Sequence, residues 1–147
     1  MKIKITNIEK SEPELLEIFC HSVSDEVREI IGFVQSREGC LTGYEEKRQY
    51  TVPITEVYYV EAVDSRVFIY TVDKTYESRS KLYEIEEALV GKRFLRVSKQ
   101  TVLNLMKVSC IKPALGGRFT AVLMNGEQIM ISRKYVPDLK KALIGGN

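Results

Sequence analysis

The sequence predicts a mainly β fold with short helices, preceded by a small strand–helix extension. Three observations carry this expectation. Beyond Gly39, short runs rich in β-branched and aromatic residues alternate with turn residues. Asn125-Gly126, between two such runs, is a strong hairpin signal. Ahead of Ser36, by contrast, apolar residues recur at helical spacing. The polar break Ser36–Gly39 divides an extension, residues 1–38, from a β-rich domain, residues 39–147. A β-sandwich or partly open barrel is the expected class for the larger part.

The elements follow in order. Lys2–Thr6 alternates polar and apolar residues and predicts a strand with Ile3 and Ile5 on one face. Ser11 and Glu14 have capping-box spacing, and Pro13 fits a first helical turn. A helix is expected from there to about Gln35, with Leu16, Cys20, Val23, Val27, Ile30 and Val34 as its stripe, widened by Leu15, Phe19 and Ile31. Leu41–Glu46 and Arg48–Val52 predict a hairpin that Pro53 ends. Val57–Ala62 and Val67–Val72 predict strands joined by a tight turn at Asp64-Ser65-Arg66, and Thr75–Ser78 continues the meander. In Ser80–Val90, Leu82, Ile85 and Leu89 are helix-spaced and Gly91 is the stop. Phe94–Val97 predicts a strand, Ser98–Asn104 a loop with a helical turn, and Leu105–Ile111 a strand. Gly116-Gly117 predicts a turn, Arg118–Met124 and Glu127–Ile131 a hairpin, and Ser132 the cap of a last helix, Arg133–Leu143, beyond which Gly145-Gly146 frays.

Several function classes are disfavoured. The single histidine, His21, lies in the N-terminal helical pattern and predicts a surface or boundary residue. No Gly-rich loop follows a strand to open a helix, and no carboxylate pair sits in an acid/base motif. Ser98 and Lys99 are adjacent, so on an extended chain they point to opposite faces, which is poor geometry for a Ser–Lys nucleophile. An enzyme is not expected, and neither a cofactor nor a metal is implied. Cys20, Cys40 and Cys110 are odd in number and widely spaced. They predict buried or half-buried thiols in a reducing cytosol. No apolar run approaches the length that spans a bilayer, and the N-terminus has no signal-peptide core, so a cytoplasmic protein without membrane insertion is expected.

The net charge of +2 hides an asymmetry. Residues 1–46 hold 5 Lys/Arg against 10 Asp/Glu, a net of −5; residues 47–147 hold 17 against 10, a net of +7. A basic half points to nucleic acid or another anionic partner. Two segments join basic and polar residues to apolar anchors. In Arg93–Asn104, Phe94, Leu95, Val97, Val102 and Leu103 fix a loop that presents Ser98, Lys99, Gln100 and Asn104. Lysine suits phosphate; Gln, Asn and Ser suit base edges. In Ile131–Val136, Arg133 and Lys134 lie in the first turn of a helix, where cations oppose the helix dipole. Helix stability therefore does not explain them, whereas an anionic partner does. The same basic face could instead dock an acidic protein. Tyr58, Tyr59, Phe68 and Tyr70 could be stacking platforms for RNA, though strand-core positions explain most of them more simply.

From Gly43 to Leu143 the chain resembles the LytTR family of bacterial DNA-binding domains. The resemblance rests on Ile54–Ala62, on Phe94-Leu95-Arg96-Val97-Ser98-Lys99-Gln100-Thr101-Val102-Leu103-Asn104-Leu105, and on Asn125-Gly126-Glu127 running into Ile131–Val136. It implies an elongated arrangement of small β-sheets whose loops, rather than a recognition helix, enter the major groove of double-stranded DNA. The family's central contacting loop matches Ser98, Lys99 and Gln100, and its loop before the final helix matches Arg133 and Lys134. From the first loop only Arg66 carries over, because Asp64 would repel phosphate. Arg96 and Arg118 add supporting charge. Residues 1–40 are too short for the receiver domain of well-known members and lack its aspartate cluster, so a stand-alone transcription regulator is expected. Its N-terminal helix is the expected surface of a homodimer.

Overall fold

A computed structural model describes residues 1–143. The strand succession is β1 (Cys40–Glu45), β2 (Arg48–Pro53), β3 (Tyr59–Val63), β4 (Arg66–Tyr70), β5 (Thr75–Ser78), β6 (Phe94–Arg96), β7 (Thr101–Asn104), β8 (Val108–Pro113), β9 (Phe119–Leu123) and β10 (Gln128–Ile131). Three helices accompany them: α1 (Asp25–Ser36), α2 (Leu82–Ala88) between β5 and β6, and α3 (Val136–Leu143) after a 3-10 turn at Arg133–Tyr135. Two of the hairpins close through two-residue turns in which both residues have positive φ: Glu46-Lys47, and Asp64-Ser65. That backbone matches the twist of paired strands. Gly126 at φ +89 does similar work between β9 and β10, and Gly91 at φ +79 ends the α2 region.

The strands form two antiparallel sheets. The larger has the order β2-β1-β5-β4-β3-β7-β6, the smaller β10-β9-β8. Because successive side chains on a strand point to opposite faces, the large sheet feeds two cores. Val60, Val67, Ile69 and Val102 face α2 and meet Leu82, Ile85 and Leu89. Tyr59 and Leu103 face the other way and meet Ala121, Leu123 and Ile131 of the small sheet and Leu139 of α3. The mainly β class with short helices is therefore borne out.

Other expectations are corrected. Lys2–Thr6 forms no strand; Ile3 is 89% exposed and has no neighbouring strand to pair with. The helix expected from Ser11 to Gln35 forms only as α1. Ser24 caps it by accepting the Val27 amide at 3.3 Å, and Asp25 and Glu26 favour the N-terminal end of its dipole. Leu15, Leu16 and Phe19 upstream stay exposed. A helix without a packing surface is marginal in water, and these residues have none within the chain. Thr101–Asn104, expected as loop, is strand β7. Leu105–Lys107 is a 3-10 turn, so the next strand starts later than expected, at Val108. Ser132 precedes the final helical segment, but its hydroxyl makes no capping bond. All three cysteines are free and exposed rather than buried: Cys20 lies in the unpaired N-terminal segment, Cys40 opens β1, and Cys110 lies on the edge strand β8. The expected fraying at Gly145-Gly146 lies outside the described residues.

Asn104 shows how side chains fix the register. Its Nδ2 donates to the carbonyl oxygens of Val57 at 2.8 Å and Ile54 at 3.4 Å, and its Oδ1 accepts from the Met106 amide at 3.0 Å. The two carbonyl bonds are buried and the Met106 bond is partly buried. Asn104→Ala leaves these backbone groups unsatisfied and is expected to cost about 1–3 kcal/mol. Denaturant unfolding reads this directly; an unchanged midpoint would show that the bonds contribute nothing net.

Candidate nucleic-acid interface

The sequence-predicted segments converge at one end of the large sheet. β3 and β7 are antiparallel neighbours, so the β3–β4 turn and the β6–β7 loop emerge side by side. The Ala62 amide donates to the Gln100 carbonyl at 2.8 Å and ties the two together. The Ser132 amide donates to the Val97 carbonyl at 2.9 Å, which fastens the Arg133-Lys134 segment to the same loop. The Gly116-Gly117 turn stands beside Arg133: a Cβ built on Gly117 would lie 3.1 Å from Arg133 Cδ. Gly117 also has φ +74, a conformation that favours glycine. Four chain segments distant in sequence thus share one edge.

The anchors behave as expected. Val97, Val102 and Leu103 are buried, Phe94 and Leu95 half-buried. On them the β6–β7 loop holds Lys99 and Gln100 in solvent, with no ion pair or side-chain hydrogen bond among the described residues. Ser98 is half-buried; its Oγ accepts the Gln100 amide at 3.2 Å, which leaves the hydroxyl proton available to donate. Arg133 and Lys134 are exposed in their 3-10 turn, with Val136 buried and Tyr135 half-buried behind them. The Lys134 ammonium lies 5.6 Å from the Tyr135 ring.

The three supporting arginines differ. Arg118 is exposed and its Nε donates to the Leu115 carbonyl at 2.9 Å. Arg66 is exposed and ion-paired with Glu77, and its guanidinium carbon lies 5.2 Å from the Phe68 ring. The Glu77 bond pushes its pKa further up. Arg96 turns inward. Nη1 bonds Glu86 Oε1 of α2 at 2.8 Å, Nε bonds the Ser98 carbonyl at 2.8 Å, and Nη2 bonds the Lys99 carbonyl at 2.5 Å. The fork of one guanidinium therefore sets the path of the loop, and Arg96 acts as a positioning residue. Asn104, grouped with the loop by sequence, is buried and structural. Sequence reasoning missed Lys140 of α3, whose ammonium lies 5.8 Å from the ring of Phe119, next to Arg118. The basic pair Lys140-Lys141 was the available signal.

The aromatic residues are mostly internal. Tyr58 and Tyr59 are buried. Tyr59 stacks on Tyr70 with centroids 4.4 Å apart and donates to Glu127 Oε2 at 2.8 Å. Burial, then the Glu127 bond, raise the Tyr59 pKa well above its ordinary value, so it stays neutral. A ring sandwiched this way offers no stacking platform to a base. Among the described residues, no group of three or more His, Cys, Asp or Glu could hold a metal, and no helix is long and apolar enough to cross a membrane.

Two antiparallel sheets thus carry cations and amides on loops gathered at one end. The chain belongs to the LytTr DNA-binding domain family, whose model matches residues 47–144. The sensory transduction protein LytT of Bacillus anthracis is 30% identical over 92 residues, which are 63% of this chain and 37% of LytT. The chain thus spans little more than a third of that relative. An uncharacterized HTH-type transcriptional regulator of Staphylococcus aureus strain MSSA476 is 23% identical over 145 residues, 97% of this chain and 98% of that protein. A LytTr DNA-binding domain structure from Bacillus cereus superimposes with a TM-score of 0.68 at 24% identity, covering 72% of this chain and 97% of that one.

Proposed function

We propose that the protein is a sequence-specific transcription regulator that binds double-stranded DNA through loops in the major groove. The observation that carries the reading is the junction of the Ser98–Gln100 loop with the Arg133-Lys134 segment through the Ser132–Val97 hydrogen bond. It brings a lysine, an amide and a hydroxyl together with a pair of cations, Arg133 and Lys134, on a buried apolar base. Lys99 and Lys134 neutralise phosphates; Ser98, Gln100 and Arg133 read base edges. Arg66 and Arg118 add charge, and Arg96 shapes the loop. Among the described residues the helices suit the groove poorly: α1 opens on Asp25 and Glu26 and has no basic residue in its last turn, α2 carries Glu84, Glu86 and Glu87, and α3 has eight residues with Pro137 among them. Such a regulator works in the cytoplasm and needs no cofactor. Guanine N7 methylation, a major-groove probe, is expected to be blocked in short clusters when the protein is bound to a duplex selected from a random library. Protection confined to the minor groove would refute the loop assignment.

Residues 39–147 serve as the DNA-binding unit in this reading, and residues 1–38 as a dimerisation appendage. Ile3, Ile5, Leu15, Leu16, Phe19 and Val23 are all exposed. So many large apolar side chains in one acidic segment mark a contact surface. A second copy, presenting the same apolar segment, is the occupant, because the chain's own β-rich unit leaves these side chains uncovered. Two copies on one duplex would then read paired half-sites.

A further inference from the structure

We propose that Arg66 and Arg79 form a second phosphate grip for the DNA backbone beside the bases read by the loops, with Phe68 and Tyr44 as their rests and Glu77 as the carboxylate that phosphate displaces. This inference depends on the DNA reading above and extends it from Arg66 to Arg79, Tyr44, Phe68 and Glu77, which the loops do not include. Glu77 of β5 pairs with Tyr44 of β1 on one side and Phe68 of β4 on the other, so the three side chains share one face of the large sheet. Arg66 stands two residues before Phe68 and Arg79 two residues after Glu77, which puts both on that face. The pairing of Val67 with Ser78 brings the two arginines to the same sheet end as the β3–β4 turn.

Each guanidinium rests on a ring. The Arg66 carbon lies 5.2 Å from the Phe68 centroid and the Arg79 carbon 3.8 Å from the Tyr44 centroid. A guanidinium lying on an aromatic face keeps N–H groups at its edge for an anion. Arg79 is exposed and has no ion pair among the described residues. Arg66 already grips an anion, the Glu77 carboxylate. Glu77 pairs with Arg66 alone, so the Arg79 guanidinium is free for an anion, and the filled position at Arg66 holds a group of phosphate-like chemistry. Glu61, across from Phe68 on the same face, lies toward Tyr70. In strand order β5 is three positions from β7. Three strand spacings are about 14 Å, or about four base-pair steps along a duplex strand. The grip therefore falls on backbone outside the bases under the Ser98–Gln100 loop.

The test is a salt titration of the full chain on a labelled duplex selected from a random library. Arg79→Gln should lower the log–log salt slope by about one and weaken related duplexes by a common factor. Tyr44→Leu should do the same, whereas Tyr44→Phe, which keeps the ring, should retain the wild-type slope. Glu77→Gln should raise affinity by about three-fold, the size of an exposed ion pair released. Trimming the duplex on the flanking side by about four base pairs should erase the difference between wild type and Arg79→Gln. A wild-type slope for Arg79→Gln, on a duplex where Lys99→Ala does lower the slope, would overturn the grip and leave the loop reading intact. Absence of salt-dependent binding by the wild type would overturn both.

Discussion

Deleting residues 1–23 is expected to convert a dimer into a monomer and to weaken binding to paired half-sites on the order of a hundredfold, the usual scale of lost bivalency. The deletion keeps the Ser24 cap and α1, including Val27, which is only 3% exposed. It removes Ile3, Ile5, Leu15, Leu16, Phe19 and Val23, all exposed in the single chain. Full burial of each such side chain is worth roughly 1.5–3 kcal/mol, so a surface that covers even half of them holds two copies together. Binding to a single half-site should scarcely change. Sedimentation of intact and truncated protein, with and without duplex, measures the outcome. An intact chain that stays monomeric at high concentration in both conditions removes the dimer from the account.

Substitutions in the two loops are expected to differ in kind. Arg133→Ala should cost about 1–3 kcal/mol on the selected duplex and relax one base position, as loss of a bidentate guanine contact does. Lys99→Ala should weaken all duplexes by a similar factor, because phosphate carries no sequence information. Gly117→Ala should imitate a weaker Arg133→Ala, since its methyl group would press on Arg133 Cδ and its backbone sits at positive φ. Selection from a randomised duplex library with each variant reads out both affinity and base preference. Equal, sequence-independent losses for Arg133→Ala and Lys99→Ala would deny Arg133 a role in base reading.

The legible parts of the fold were those in which a local signal and the tertiary environment agree. β5 runs from Thr75 to Ser78, as its pattern predicts, and the first and last hairpins fall where turn residues interrupt alternating strands. β7 was not legible, because Thr101, Val102, Leu103 and Asn104 are all buried. A strand covered on both faces loses the period of two that marks a half-exposed one. The N-terminal segment failed for the opposite reason. Its helical stripe is regular, but a stripe becomes a stable helix only against a surface, and the single chain supplies one only from Val27 onward.

The candidate site divides the same way. Lys99, Gln100, Arg133 and Lys134 could be read locally, since each sits in a polar stretch flanked by apolar anchors. The role of Arg96 could not, because it depends on Glu86 across a turn and on two loop carbonyls. Nor could the Arg79–Tyr44 contact, whose partners meet only when β1 pairs with β5.

The salt dependence of duplex binding by the full chain tests the central claim most directly. If the loops at the sheet end grip phosphate, log affinity should fall linearly with log salt, each neutralised phosphate contributing about 0.9 to the slope. Lys99, Lys134 and Arg66 alone should give a slope of about −3 or steeper. Affinity that stays constant as salt rises, or no duplex binding at any salt concentration, would contradict the account.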